Sequence, residues 1–124
     1  MLCYLEKNTI SYFYVLYCND GTFYGGYTTE LKRREEEHNS GTGAKYTKPV
    51  KRRPVHMVYA EAFATRSEAT KAEYAFKQQT RKRKIQYLMQ QGVEFPLSAD
   101  SACVVNMEML NTKEETADVS AKEF

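Results

Sequence analysis

Apolar and polar positions follow two different periods along this chain. Residues 12–18 (YFYVLYC) are almost wholly aromatic or β-branched, as in a strand. Asn19-Asp20-Gly21 has turn chemistry, and residues 22–28 (TFYGGYT) read as the returning strand of a hairpin. Thr28 or Thr29 can cap a helix from about residue 30 to 40, with Gly41 at its end. Residues 41–54 hold two Gly, two Pro and many basic side chains, so they predict a loop. Residues 55–63 alternate through Val55, Met57 and Tyr59 and read as a third strand. Thr65-Arg66-Ser67-Glu68 is a capping box that opens a helix to about Gln79. Thr80 can cap a last helix ending before Gly92, with Ile85, Leu88 and Met89 as its apolar stripe. The order β-β-α-β-α-α predicts an α+β fold: a three-stranded antiparallel or mixed sheet flanked by helices.

The hairpin also predicts its own register. A two-residue turn would put Tyr24 opposite Tyr17, with Tyr14 on the other face. A three-residue loop, Asn19-Asp20-Gly21, puts Tyr24 opposite Leu16, on the face that holds Tyr14. That loop needs a left-handed residue where Gly21 stands, so the three-residue loop is expected.

The periodic pattern stops near residue 95. We expect a short extension at 1–11, a folded domain at 12–95 and an acidic, Ser/Thr-rich, largely flexible tail at 96–124. Cys103-Val104-Val105 with Met107 and Met109 gives that tail an apolar patch for a possible protein contact. At 124 residues the chain has room for one domain. No apolar run is long enough to span a membrane, and no secretory signal is evident. Three cysteines without CxxC spacing and two distant histidines disfavour a disulfide scaffold and a structural zinc site, so an intracellular location is expected.

Charge sharpens the functional picture. The net charge is only +2, but it is segregated. Residues 31–84 carry fifteen Lys and Arg against six Glu, a net +9, while residues 1–30 carry −2 and residues 85–124 carry −5. A basic middle beside an acidic end suggests a polyanion partner.

Four features sit badly with a purely structural reading. The first helix has one apolar residue, Leu31, and its face continues through Arg34 and His38. These two either lie on a weakly docked, solvated helix or look into a polar cleft. Glu73 shares a helical face with Ala69, so it is either an inward carboxylate needing a partner or a surface pair with Lys77 at i+4. Five of the ten tyrosines crowd the hairpin. They suit a half-buried aromatic sheet as well as they suit chemistry. Gly25-Gly26 inside a strand marks either a bulge or a close approach.

Taken together, these segments resemble the GIY-YIG nuclease family. Tyr12-Phe13-Tyr14, nine residues, then Tyr24-Gly25-Gly26 resembles its two half-motifs, with Tyr12 in place of Gly and Gly25 in place of Ile. Arg34 through His38 resembles the family's Arg-x-x-x-His helix. Residues 40–47 (SGTGAKYT), Arg53-Pro54-Val55, Val58-Tyr59-Ala60-Glu61 and the Glu73 helix continue the likeness in register, in the manner of the small single-domain bacterial branch. The resemblance implies a metal-dependent endonuclease hydrolysing DNA phosphodiesters, with single-stranded and branched substrates both open. It implies Glu73 as ligand to Mg²⁺ or Mn²⁺, Arg34 on a phosphate oxygen, and Tyr24 on the attacking water with Tyr14 beside it. His38 would hydrogen-bond Tyr24 or relay its proton, nearby cations would favour phenolate, and Tyr46 would touch the scissile phosphate. Lys45, Lys48, Arg52, Arg53, Lys77, Arg81, Lys82 and Lys84 would contact the nucleic-acid backbone. The competing reading is a non-catalytic nucleic-acid-binding or adaptor module.

Overall fold

The computed structural model describes residues 9–110. Its elements are β1 (Ser11–Tyr17), β2 (Phe23–Thr28), α1 (Leu31–Ser40), a 3₁₀ turn (Val50–Arg52), β3 (His56–Phe63), α2 (Arg66–Lys77), α3 (Arg81–Gln90) and β4 (Val104–Asn106). The sheet order is β2-β1-β3-β4. β1 runs antiparallel to both β2 and β3, whereas β4 is parallel to β3.

The sheet therefore has four strands, not the three expected. The additional strand comes from the acidic stretch after residue 95, where Val104 pairs with Tyr59 and Val105 with Ala60. Three residues carry too little pattern to reveal a strand, and a parallel partner needs a long crossover, here supplied by α2 and α3. The apolar patch at Val104-Val105 is thus engaged by the protein's own sheet. The tail expectation for residues 111–124, and that for residues 1–8, falls outside the described residues.

The hairpin adopts the three-residue loop. Leu16 pairs with Tyr24 and Tyr14 with Gly26, and Gly21 has φ 85°. Cys18 N–H donates to the Thr22 carbonyl across the loop at 2.8 Å. The register runs unbroken through Gly25-Gly26, so those glycines form no bulge. The irregularity lies in β3 instead. Val15 pairs with Tyr59 but Leu16 with Met57, leaving Val58 as an extra residue. Met57 and Tyr59 consequently face opposite sides, although their spacing reads as one face.

This bulge sorts the core into two clusters. One face holds Phe13, Val15, Tyr59 and Phe63 beneath Ala69, Phe76 and Leu88 of α2 and α3. The other holds Tyr14, Leu16, Met57 and Ala60, joined by Tyr24, Leu31 and Tyr46. Helix ends follow the sequence: Thr65 Oγ1 accepts from Glu68 N–H, Thr80 Oγ1 accepts from Arg83 N–H, and Gly41 ends α1 in the left-handed conformation. The N-cap of α1 is Glu30 without a side-chain cap, and Thr28 Oγ1 instead accepts the Glu30 N–H at 3.1 Å.

Candidate active site

The polar cleft forms on the second face, between β1–β2 and α1. Leu31 anchors α1 against the sheet, and the helical period then aims Arg34 and His38 at Tyr14. Tyr14 and His38 are both fully buried. Arg34 Nε donates to Tyr14 Oη at 3.3 Å, and Tyr14 Oη lies 2.8 Å from His38 Nε2. His38 Nδ1 lies 2.6 Å from Thr47 Oγ1, which in turn lies 3.2 Å from the Ala44 carbonyl. One proton assignment satisfies every group in this row. Arg34 donates to Tyr14, Tyr14 donates to His38 Nε2, His38 Nδ1–H donates to Thr47, and Thr47 donates to the carbonyl.

Burial governs the titration of both central groups. The Tyr14 phenol is pushed up to about 12 by desolvation, against the opposing pull of Arg34. His38 is pushed down to about 4, first by desolvation and then by the Arg34 charge. At neutral pH the pair is therefore phenol and neutral imidazole, not phenolate and imidazolium. The expected His38–Tyr24 hydrogen bond is replaced by one to Tyr14, and Tyr24 meets His38 only ring to ring, at 5.3 Å between centroids. The His38 shift has a consequence for stability. Its folded value lies below the unfolded one, so the unfolded chain takes up a proton first and stability falls as pH drops from 6.5 to 4. The full effect is about 3 kcal/mol. Urea unfolding across that range should show a loss in the wild type that exceeds the loss in His38→Gln.

Tyr24 differs from Tyr14. It is half-buried, and its hydroxyl has no hydrogen-bond partner among the described residues. Its ring stacks on Tyr46 at 5.6 Å and 24°, and the Arg52 guanidinium lies over the Tyr46 ring at 3.9 Å. Lys77 Nζ lies 5.4 Å from the Tyr24 ring centre and bonds Glu73 at 2.8 Å. Glu73 thus makes the i+4 pair, and the shared Lys77 links it to the Tyr24 ring at the cleft. Among the described residues no group of three His, Cys, Asp or Glu could hold a metal. One carboxylate still fits a hard cation such as Mg²⁺, which retains waters and takes its other ligands from a phosphate substrate.

The basic residues divide. Arg52 bonds Asp20 and the Tyr46 carbonyl, and Arg53 bonds the Asn39 carbonyl at the end of α1. Both hold the 41–54 loop in place. Arg81 bonds the Gly21 carbonyl and covers Phe23. Lys45, Lys48 and Lys82 are exposed, and their side chains have no partner among the described residues. Burial depresses the Lys84 pKa, helped by the Arg81 and Lys77 charges.

Three residues in or beside this site carry roles the sequence reading did not assign. Thr47 is fully buried and fixes the His38 tautomer. Gly43 leaves room for that ring, since a Cβ there would lie 2.5 Å from His38 Nδ1. Gly26 does the same for Tyr14, with a Cβ only 2.3 Å from its hydroxyl. A strand glycine was the one visible signal; nothing in a loop threonine announces a buried imidazole partner.

Residues 10–86 match the family model described as GIY-YIG catalytic domain. The chain is 68% identical over 84 residues to a UPF0213 protein of Enterococcus faecalis, spanning 68% of this chain and 96% of that one. It is 59% identical over 86 residues to a UPF0213 protein of Listeria welshimeri, spanning 69% and 93%. A solution NMR structure of an E. faecalis protein matches at 64% identity and TM-score 0.48, covering 72% of this chain and 93% of that one.

Proposed function

The chain belongs to the GIY-YIG family, and from that premise we propose that it is a divalent-metal-dependent endonuclease hydrolysing phosphodiester bonds in DNA. The observation that carries this reading is the meeting of Tyr14, Tyr24, Arg34 and His38 in one cleft, with Glu73 tied to Tyr24 through Lys77. An adaptor module has no need of a buried Tyr–His pair beneath a tyrosine hydroxyl left free.

Each residue has a task that its contacts allow. Arg34 gives Nε to Tyr14 and Nη1 to Glu37, leaving Nη2 for a non-bridging phosphate oxygen. Tyr24 presents its hydroxyl to the attacking water and Tyr46, stacked on it, presents a second to the phosphate. Tyr14 and His38 hold Arg34 in place and offer the cleft a neutral proton relay. Glu73 would hold Mg²⁺ or Mn²⁺, which when bound stabilises charge on the phosphate and on the leaving 3′ oxygen. Lys45, Lys48, Lys77, Arg81, Lys82 and Lys84 supply the salt-sensitive attraction to the backbone. No helix among the described residues is long and apolar enough to cross a membrane, and a DNA substrate points to an intracellular site of action.

The test is a cleavage panel of single-stranded, duplex and flap DNA and RNA, with Mg²⁺ or Mn²⁺ and with EDTA. Cleavage of DNA that EDTA abolishes is expected. Binding to DNA without cleavage under any of these metals would instead establish the adaptor reading.

A further inference from the structure

Opposite the cleft, on the other face of the sheet, lies a second concavity of about 270 Å³ between α2, α3 and the strands. Phe13, Phe76 and Tyr87 supply its aromatic wall, with Gln79 and Arg83 also lining it. Glu61, only 8% exposed, contributes a carboxylate. A buried carboxylate inside an apolar cluster requires an explanation. Half of it is structural. Tyr59 Oη donates to Glu61 Oε2 at 2.7 Å, and Tyr87 Oη donates to the same oxygen. Asn106 of β4 bonds Tyr59 Oη at 3.1 Å and Gln91 at 3.0 Å, locking that end of the row. Oε1 accepts no hydrogen bond from any described residue, and the Arg83 guanidinium also has no partner among them.

The concavity and the cleft meet round the edge strand β2. Phe76 is part of its wall, and the next residue, Lys77, reaches back over the Tyr24 ring. Lys84, on α3, places Nζ 5.4 Å from the Phe76 ring centre. Cations therefore line the way from Glu73 and Tyr24 to the concavity, as a polyanionic strand passing between them would require.

We propose that this concavity binds one unpaired nucleobase that carries an exocyclic amine beside a ring acceptor, as cytosine and adenine do. The proposal rests on the nuclease reading for its polymer and on Glu61 for its selectivity. The base stacks on the aromatic wall, its amine donates to Glu61 Oε1, and Arg83 or Gln79 donates to the ring acceptor. Thymine and uracil turn carbonyl oxygens towards the same carboxylate and are disfavoured. Guanine's paired donors need both carboxylate oxygens, and Oε2 is already filled by two tyrosines. The same edge could come from a strand or from a free nucleotide.

The experiment measures anisotropy of labelled oligo-dC and oligo-dT of equal length, in EDTA so that nothing is cleaved. Wild type should bind oligo-dC about tenfold more tightly, the worth of one hydrogen bond to a charged group. Glu61→Gln should abolish or reverse that preference. Two hydroxyls still demand an oxygen, so the amide NH₂ must turn into the concavity as a donor, which suits thymine. Ala75→Phe, at an exposed helix position lining the concavity, should reduce the ratio to near one and keeps the test open if Glu61→Gln does not fold. Competition by dCMP against dTMP identifies the source. Displacement of oligo-dC by dCMP assigns the concavity to a free nucleotide, and a dC preference that dCMP does not compete away assigns it to a strand. Equal binding of both oligonucleotides by wild type, or a preference unchanged in both variants, overturns the proposal. A dC preference in a protein that never cleaves DNA with metal keeps the base site and removes the nuclease reading. Cleavage without any preference does the opposite.

Discussion

Glu73→Gln should abolish cleavage while leaving the protein folded. The argument begins with what Glu73 contributes to stability, which is little. Its one described bond is the i+4 pair with Lys77, whose side chain is 43% exposed, and such pairs are worth about 0.5 kcal/mol or less. Its contribution to chemistry is of another order. A metal that neutralises developing phosphate charge lowers the barrier by several kcal/mol, and an amide is a poor ligand for a hard cation. At about 1.4 kcal/mol per factor of ten, the expected loss in kcat is at least about a thousandfold. Single-turnover cleavage and a urea titration on the same preparation provide the check. A variant that cleaves at near the wild-type rate removes Glu73 from the metal, and one that fails to fold shows the carboxylate to be structural.

The second large effect comes from one hydrogen atom. Gly26 pairs with Tyr14 across the hairpin, and a Cβ there would lie 2.3 Å from the Tyr14 hydroxyl and 2.5 Å from Cζ. The ring cannot yield easily, because it is fully buried and held by both His38 and Arg34. Gly26→Ala must therefore displace the phenol or the strand. Overpacking of this kind costs about 1–3 kcal/mol, and the hydrogen bond broken at a buried imidazole adds about 1–3 more. We expect a loss of about 3 kcal/mol or more in urea unfolding, with activity lost alongside it. Gly25→Ala is the matched control. Its Cβ would meet Phe76 at 3.3 Å and Phe13 at 3.4 Å, tight contacts on side chains with some freedom, so about 1 kcal/mol is expected. Equal losses in the two variants would show that strand propensity governs this pair of glycines and not the room for Tyr14.

The hairpin was legible because its determinants are local. A turn of Asn19-Asp20-Gly21 and a positive φ at Gly21 set the register, and the register puts Tyr14 and Tyr24 on one face. The capped helices were legible for the same reason. What escaped the sequence depends on partners far along the chain. The extra residue at Val58 reverses the faces of Met57 and Tyr59, and only pairing with β1 reveals it. β4 is three residues long and its partner lies some 45 positions earlier. At the cleft, Arg34 and His38 could be placed by helical period, but which tyrosine His38 serves depends on depth. Tyr14 is buried deep enough to need an acceptor, while Tyr24 keeps its hydroxyl at the surface. Arg52 and Arg53 read as free cations because a basic loop reveals nothing of the carbonyls at Asn39 and Tyr46 that engage them.

The fourth strand bears on how this chain behaves in crowded solution. Without it, β3 would offer a row of unpaired amides and carbonyls along eight mostly buried residues, a template for edge-to-edge self-association. With Val104–Asn106 in place, the outermost strand on that side is three residues long, and Asn106 turns its side-chain amide inward to Tyr59 and Gln91. Short edge strands of this kind are a common device against aggregation. Here the guard lies beyond the segment that matches the family model, so the residues of the matched domain and those that cover its β3 edge occupy different parts of the chain.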